Sequence, residues 1–248
     1  MQSIRTAAQK QLARTISPIA ATMVRYLFGF PFAVGWLAWI ASDRDALPAL
    51  NPVFLVAGFL AGVLQIVATV LLIRLMTLRN FAVGTTYVRT EVVITAVIGF
   101  LFFAEFITPA GWLAVLVCAA GVLAINATRT GTVRTWWNRS AAYGLGAGLC
   151  FALTSLLLRQ ASRSFPVDDA ILTAAMTLCY MVSLQTVLTL TWVGLRDRAQ
   201  LARVLTHFRV CTFVGVTSVV GSAGWFTAMT LELASYVKTL GQIEFLMT

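Results

Sequence analysis

The sequence is poor in charge. Only 11% of its 248 residues are charged, whereas 59% are hydrophobic. A soluble domain typically has about 25% charged residues and about 45–50% apolar ones. Too few charges are present to coat a water-facing surface, which excludes a soluble enzyme, a DNA-binding domain and a disordered chain and favours a polytopic membrane protein. The net charge of +9 does not indicate nucleic acid, because the basic residues lie in short links between apolar runs.

Histidine and cysteine are also scarce. The one histidine, His207, lies in a basic link, so a His-based metal cluster is excluded and a Ser-His-Asp triad would depend on this residue alone. The four cysteines form no CxxC pair, so neither a disulfide framework nor a zinc site is indicated. The sequence contains no phosphate-binding loop of the GxxxxGK[ST] type, so it does not indicate transport driven by ATP. We therefore expect no cofactor and no metal.

Long apolar runs dominate the chain. A helix needs about 20 apolar residues to cross a bilayer, and proline-containing links separate runs of that length. The predicted spans are 19–41, 53–76, 81–103, 109–126, 141–158, 169–195, 210–230 and an eighth from near Glu232 to Thr248.

An internal repeat organises these spans. The run Tyr87–Thr90 recurs as Tyr236–Thr239 at an offset of 149 residues, and weaker matches follow in the same order. Two units of that length exceed 248 residues, so we expect a piece of a longer protein, with a natural truncated copy as the alternative. The predicted domains are a first five-helix repeat over 1–135, its first helix incomplete, and a second over 136–248, incomplete at its C-terminal end.

The basic residues of the links predict the orientation. Twelve Lys and Arg residues lie in links on one side of the membrane and three on the other. The positive-inside rule then places the first link in the cytoplasm. Because five spans is an odd number, the two repeats would face opposite ways, which is the architecture of many secondary transporters.

Ionisable residues within the spans are the candidate functional groups. Inserting an ionisable side chain near the bilayer centre costs about 2.5–3.5 kcal/mol on insertion scales. Such side chains usually face the interior of a helix bundle or a water-filled cavity. Tyr87 and Glu91 share one helix face, Arg89 points elsewhere, and Tyr236 and Lys238 are the repeat equivalents of Tyr87 and Arg89. The two basic groups would approach a cavity between the halves that suits an amphipathic or anionic metabolite. The alternative is that Arg89 and Lys238 only form buried pairs with Glu91 and Glu244.

Two further charged residues lie near span ends. Arg25 is six residues into its span, where it either snorkels to the surface or joins the site. Glu105 stands just before Thr108-Pro109, where capping or an interfacial pairing is expected.

These residues carry a family resemblance. Tyr87 to Glu91, followed by Glu105, Pro109, Gly111 and Gly121, resembles the signature region of EamA-type proteins of the drug/metabolite transporter superfamily. Tyr236 to Thr248 resembles the same signature again. The resemblance implies ten spans in two inverted five-helix repeats, of which about eight and a half are present, and a central cavity lined by the Tyr87 and Tyr236 segments. It also implies that both termini are cytoplasmic. That orientation would put the first link outside, whereas the charge count places the first link in the cytoplasm.

The sequence therefore predicts an all-α polytopic membrane protein that is not an enzyme. The predicted function is secondary active transport of a small metabolite or drug-like compound, with export by alternating access. The candidate substrate-binding residues are Tyr87, Arg89, Glu91, Tyr236, Lys238 and Arg25. Expected partners are a small-molecule substrate and the lipid bilayer but no nucleic acid; a homodimer is left open, and the bacterial inner membrane is the expected location. The alternatives are a membrane-embedded enzyme, a structural or partner-binding bundle, and an inactive transporter fragment.

Overall fold

The structure is a computed structural model that describes residues 12, 15–44, 46–78, 87–130 and 139–242, except for the side chains of residues 122, 123 and 125–130. Within these ranges the chain is helical and forms no strand. The helices are α1 Pro18–Leu27, α2 Phe30–Ala41, α3 Pro52–Met76, α4 Glu91–Phe102, α5 Pro109–Thr130, α6 Arg139–Ser162, α7 Ala170–Arg196, α8 Ala199–Thr206, α9 Phe208–Leu231 and α10 Ala234–Gly241.

Five stretches are long and apolar enough to cross a membrane, which confirms the all-α polytopic membrane fold. Four of them are the single helices α3, α6, α7 and α9, and the fifth combines α1 and α2 over Pro18–Ala41. They match the predicted spans 53–76, 141–158, 169–195, 210–230 and 19–41. Large apolar side chains such as Trp39, Phe102 and Leu195 are exposed on these and neighbouring helices. Such faces suit contact with lipid, where helices satisfy their own backbone hydrogen bonds.

The remaining predicted spans are described only in part. The span 109–126 corresponds to α5. The span 81–103 is seen as a helical turn at Tyr87–Thr90 followed by α4, because residues 81–86 lie outside the described residues. The eighth span is seen as α10, and its continuation after Gln242 lies outside them as well.

The first span is not one regular helix, which the sequence analysis did not anticipate. The helix is interrupted at Phe28 and Gly29, between α1 and α2. Pro31 is the physical cause, since it has no N–H to donate to Leu27 O and its ring crowds that carbonyl.

The chain divides into two compact units. Unit 1 comprises Met1–Ile66 and Leu157–Leu231, and unit 2 comprises Val67–Leu156 and Glu232–Thr248. Each unit therefore takes helices from both predicted repeats, and the boundaries between units fall inside α3 and α6. The repeat boundaries at 135 and 136 stay predictions.

In unit 1, α7 packs against α1, α2 and α9. An apolar cluster ties the start of α3 to the end of α6 and the start of α7, and the rings of Phe54 and Phe165 lie 4.8 Å apart within it. Asn51 fixes the start of α3, because its Oδ1 accepts from Phe54 N at 2.8 Å and its Nδ2 donates to Ser164 O at 3.2 Å. Together with Pro52 at the first helical position, this is a favourable helix start.

The break between α1 and α2 packs directly against α9 at Gly215. A Cβ built on Gly215 would lie 2.5 Å from the carbonyl carbon of Phe28 and 2.7 Å from its oxygen. We predict that Gly215→Ala destabilises the protein by about 1–3 kcal/mol, because backbone atoms must move to make room. Thermal unfolding in detergent measures this loss.

Gly224 provides the matched control on the same helix. A Cβ at Gly224 meets no heavy atom within 4 Å, so Gly224→Ala should be neutral or stabilise α9 by up to about 1 kcal/mol. Equal thermal unfolding midpoints for the Gly215→Ala and Gly224→Ala proteins would contradict the close contact between Gly215 and the backbone of Phe28.

Asp169 fixes the start of α7 outside the membrane. Its Oδ1 accepts from Leu172 N at 2.9 Å, and its Oδ2 accepts from Arg44 Nε at 3.0 Å. The bond from the Leu172 amide and then the Arg44 guanidinium lower the pKa of the Asp169 carboxyl below its ordinary value of 3.8. The carboxylate thus stabilises unit 1 at neutral pH.

This shift predicts an acid-side loss of stability. A pKa lowered by folding contributes stability above the unfolded pKa, and that stability is lost as the pH falls through the folded pKa. We therefore expect the thermal unfolding midpoint of the Asp169→Asn protein to fall less, between about pH 6 and pH 3, than the midpoint of the unmodified protein does. This is roughly the range where carboxyls titrate. The effect should be small because the side chain is 33% exposed. Asp168→Asn, at the exposed neighbour, is the control and should retain the component that Asp169 contributes.

In unit 2, α10 packs against α4 and α5. The cluster between them contains Val92, Ala96, Ile107 and Val115, with Tyr236 packed against it. After α4 the chain turns at Ala104, which has a φ of 52°. A left-handed alanine is uncommon, and here it brings Glu105 back so that its N–H donates to Gly99 O at 3.0 Å.

Candidate functional site

The Tyr87–Glu91 segment enters α4 in close contact with α6. A Cβ on Gly148 would lie 3.0 Å from Val88 O and 3.3 Å from Tyr87 O, so glycine allows the two backbones to meet. Thr90 Oγ1 donates to Tyr87 O at 2.6 Å and holds the turn. The close contact with α6 at Gly148 and the hydrogen bond within the turn therefore both hold the backbone that carries the predicted site residues.

Glu91 and Lys238 form an ion pair across two helices of unit 2. Lys238 Nζ lies 3.5 Å from Glu91 Oε2, and the side chains are 11% and 13% exposed, respectively. The ammonium also lies 5.8 Å from the centre of the Phe151 ring. The structure thus gives Glu91 a partner on another helix, Lys238, which is the repeat equivalent of Arg89; a buried pair of this kind is what the structural alternative predicted.

Arg89 reaches the end of α10. Its Nη1 donates to Gln242 Oε1 at 3.0 Å, and Gln242 directly follows that helix. The alternative partner considered for it, Glu244, lies outside the described residues. Both predicted basic groups of unit 2 therefore contact polar side chains that link α10 to the α4 segment.

Tyr236 has well-defined packing and hydrogen bonds. Its hydroxyl accepts from Thr108 N at 3.1 Å and shares a second hydrogen bond of 3.1 Å with Thr108 Oγ1. Thr108 in turn caps α5, because its Oγ1 accepts from Gly111 N at 3.1 Å. A Cβ on Gly111 would lie 2.6 Å from the Tyr236 ring, so this glycine leaves room for the tyrosine. Tyr87, its predicted equivalent, is half-buried.

Glu105 caps α10. The side chain is 2% exposed, its Oε1 accepts from Ala234 N at 3.0 Å and its Oε2 accepts from Ser235 Oγ at 3.3 Å. A carboxylate at a helix N-terminus satisfies a free amide and interacts favourably with the helix dipole. The sequence predicted capping at the helix end near Glu105, and the helix it caps is the one that carries Tyr236 and Lys238.

Arg25 belongs to unit 1 and lines a small cavity. Its Nη2 donates to Ser222 Oγ at 3.3 Å, and the guanidinium carbon lies 5.6 Å from the centre of the Tyr26 ring. The cavity is lined by Arg25, Tyr26, Gln65, Leu178, Val182, Gln185, Ser218, Val219 and Ser222. Arg25 thus belongs to unit 1, whereas the five other predicted site residues belong to unit 2.

The other polar residues of this cavity were not predicted from the sequence. Gln65, Gln185, Ser218 and Ser222 are uncharged and lie on three different helices. Ser218 and Ser222 are four apart on α9 and share a face, which was the available signal. Among the described residues, no group of three or more His, Cys, Asp or Glu side chains is arranged to hold a metal ion.

A comparison with protein families gives a match over the first half of the chain. The model described as the EamA-like transporter family matches residues 1–127, which include Arg25 and the whole stretch from Tyr87 through Glu105 to Gly121. No curated protein sequence matches the chain. The matched region covers just over half of the 248 residues.

Proposed function

The chain belongs to the EamA-like transporter family, and on that premise we propose that it is a secondary active transporter that exports a small metabolite or drug-like compound by alternating access. Members of this family are membrane transporters rather than enzymes. The drive in this proposal is an ion or substrate gradient. We also propose the ten-span architecture of two inverted repeats and a location in the bacterial inner membrane, where a homodimer is compatible with the proposal.

The Lys238–Glu91 contact is the observation that carries the proposal. The two charges are largely shielded, yet they belong to different helices and touch at 3.5 Å through one oxygen. A shielded charge needs a partner, so any group that displaces Glu91 from Lys238 must itself be an acceptor. An anionic substrate has that chemistry, and exchange of partners provides the differential contact that alternating access requires.

The proposed roles follow from this exchange. Arg89 and Lys238 bind the acidic part of the substrate, and Glu91 holds Lys238 when the substrate is absent. Tyr87 and Tyr236 contribute hydroxyl groups. Tyr236 must exchange its bond to Thr108 before its hydroxyl contacts a substrate.

The test compares the compounds that cells release. Bacteria expressing the chain, its Arg89→Gln variant or its Lys238→Gln variant are grown in parallel, and the small molecules in the medium are measured by mass spectrometry. We expect at least one metabolite to be enriched by the unmodified chain and by neither variant, with equal amounts of each protein in the membrane fraction. Arg196→Gln, at an exposed arginine over the Trp192 ring, is the control and should export normally. Normal export by both site variants would overturn the assignment.

A structural bundle is the competing interpretation. The contacts of Tyr236 with Thr108 and of Glu105 with α10 are what a purely structural helix junction requires. Such a bundle predicts that the site variants change stability but release the same compounds.

A further inference from the structure

The link between α7 and α9 carries a concentration of exposed positive charge. Arg198, Arg203 and Arg209 are all exposed, and no acidic residue occurs between Arg198 and Arg209. The two residues before this stretch, Arg196 and Asp197, have opposite charges that cancel. Within the part of the chain that the structure describes, no carboxylate forms an ion pair with any of the three arginines. Their positive charge is therefore available to a partner outside the protein.

Helix α8 holds this charge at a fixed place on unit 1. Gln200 and Val204 are four residues apart and buried, so one face of the helix packs against α1, α7 and α9. Gln200 Oε1 also accepts from Ser17 N at 3.2 Å, which ties α8 to the start of α1. Arg198 Nε donates to Gly194 O at 2.9 Å and so stays close to the end of α7. The link is therefore an ordered part of the helix bundle.

The exposed part of α8 has an apolar side and a basic side. At about 100° per residue, Leu205 and Arg203 project roughly 160° apart, on either side of the buried face. Leu205 is 67% exposed, and Phe208, the first residue of α9, is 57% exposed. A helix with apolar side chains on one side and basic ones on the other is typical of elements that lie in the interface of a bilayer.

Two candidate membrane spans end at this link. Helices α7 and α9 are both long and apolar enough to cross a membrane, and α8 joins the end of one at Arg196 to the start of the other at Phe208. An element in this position meets the lipid headgroups. Arginine binds phosphate groups well, because its planar guanidinium presents paired N–H donors to two phosphate oxygens.

We propose that α8 and its flanking arginines form a surface that binds anionic phospholipids. Arg198, Arg203 and Arg209 bind the phosphates of several neighbouring headgroups, and Leu205 and Phe208 contact the acyl chains. The lipid must carry net negative charge, because the cation of a zwitterionic headgroup offsets the attraction to arginine. The surface lies in unit 1 and is assayed by lipid binding, so its failure and the failure of the transport proposal, which rests on unit 2, are distinguishable.

The test measures lipid binding to the purified full chain in detergent by native mass spectrometry. The probes are dioleoylphosphatidylglycerol, which is anionic, and dioleoylphosphatidylcholine, which has the same acyl chains and no net charge. Phosphatidylglycerol should bind about tenfold tighter or more, since each basic residue near an anionic lipid adds about fivefold. This comparison uses the unmodified protein, so it does not depend on any variant folding. Equal affinities for the two lipids would overturn the proposal.

Single variants locate the surface. Arg203→Gln removes one charge from α8 and should weaken phosphatidylglycerol about fivefold while phosphatidylcholine is unchanged. Arg163→Gln is the matched control, because it removes an equally charged, exposed arginine that lies before the start of α7, and it should leave both affinities unchanged. Equal losses in the two variants would mean that the lipid responds only to the net charge of the protein, and would contradict the surface.

Two further variants separate the basic side from the apolar side. The triple variant Arg198→Gln, Arg203→Gln and Arg209→Gln should remove most of the preference for phosphatidylglycerol. Leu205→Asn should weaken both lipids by the same factor and leave the preference intact, because the two lipids share their acyl chains. A preference that survives in full in the folded triple variant would contradict the assigned arginines.

A third probe distinguishes a lipid from a soluble phosphate compound. Glycerol 3-phosphate has the phosphate of the headgroup without acyl chains. Much weaker binding of glycerol 3-phosphate than of phosphatidylglycerol supports a membrane lipid as the partner, since Leu205 and Phe208 then have nothing to contact. Binding at least as tight as that of phosphatidylglycerol would identify a soluble partner and overturn the proposal.

Discussion

Replacing Glu105 with leucine is expected to destabilise unit 2 by about 3 kcal/mol. The substitution removes the acceptor of Ala234 N and Ser235 Oγ, both buried, and leaves each donor without its partner. Each such group costs about 1–3 kcal/mol. Both donors are fully buried within the protein, so water offers no replacement partner and relaxation should recover little of the loss. The predicted readout is a lower thermal unfolding midpoint in detergent, together with faster hydrogen exchange at the amide of Ala234.

Two further variants make this prediction specific. Glu105→Gln keeps one acceptor oxygen for the Ala234 amide, so its loss should be clearly smaller. Glu232→Gln alters an exposed glutamate shortly before α10 and should change the midpoint little. If Glu105→Leu unfolds at the same temperature as the unmodified protein, Glu105 does not hold α10 in place.

The spans could be predicted from the sequence because one physical constraint dominates them. A bilayer requires about 20 apolar residues in a helix, and runs such as 53–76 meet that requirement without reference to any other residue. The break at Phe28 was missed because Pro31 lies within an apolar run, so hydropathy alone continues across it. Helix α8 was missed for the opposite reason. Its link looked like a basic connection, yet Gln200 is buried and its Oε1 accepts from Ser17 N at 3.2 Å.

The site was predictable only where the repeat or a charge marked it. The match between Tyr87–Thr90 and Tyr236–Thr239 singled out two segments that both lie in unit 2. The identity of the Lys238 partner depends on how α10 packs against α4, which spacing within one helix does not determine. The cavity around Gln185 was not predictable, because neutral polar residues are common in spans and line one cavity only when three helices place them side by side.

The second large effect is expected at the Lys238–Glu91 pair. Lys238→Met removes one partner and leaves a carboxylate that is 13% exposed without its ammonium. Breaking a buried pair in this way costs about 3–5 kcal/mol, and the residual exposure places the expected loss at the lower end. The unfolding midpoint of the purified protein measures it. Arg196→Gln, at an exposed arginine, should leave the midpoint unchanged.

The double variant Lys238→Met with Glu91→Leu separates transport from a structural role. Replacing both charges by apolar groups of similar size is often neutral or stabilising, so its stability should return close to that of the unmodified protein. A coupling energy well above zero in the double-mutant cycle would establish that the two residues interact in the folded protein. If the restored protein also exports normally, the pair serves only to hold α10 against α4. If the double variant is stable but exports nothing, the two charges are needed for transport and not for stability. The loss of transport is then explained by the exchange of Glu91 for an anionic substrate on Lys238.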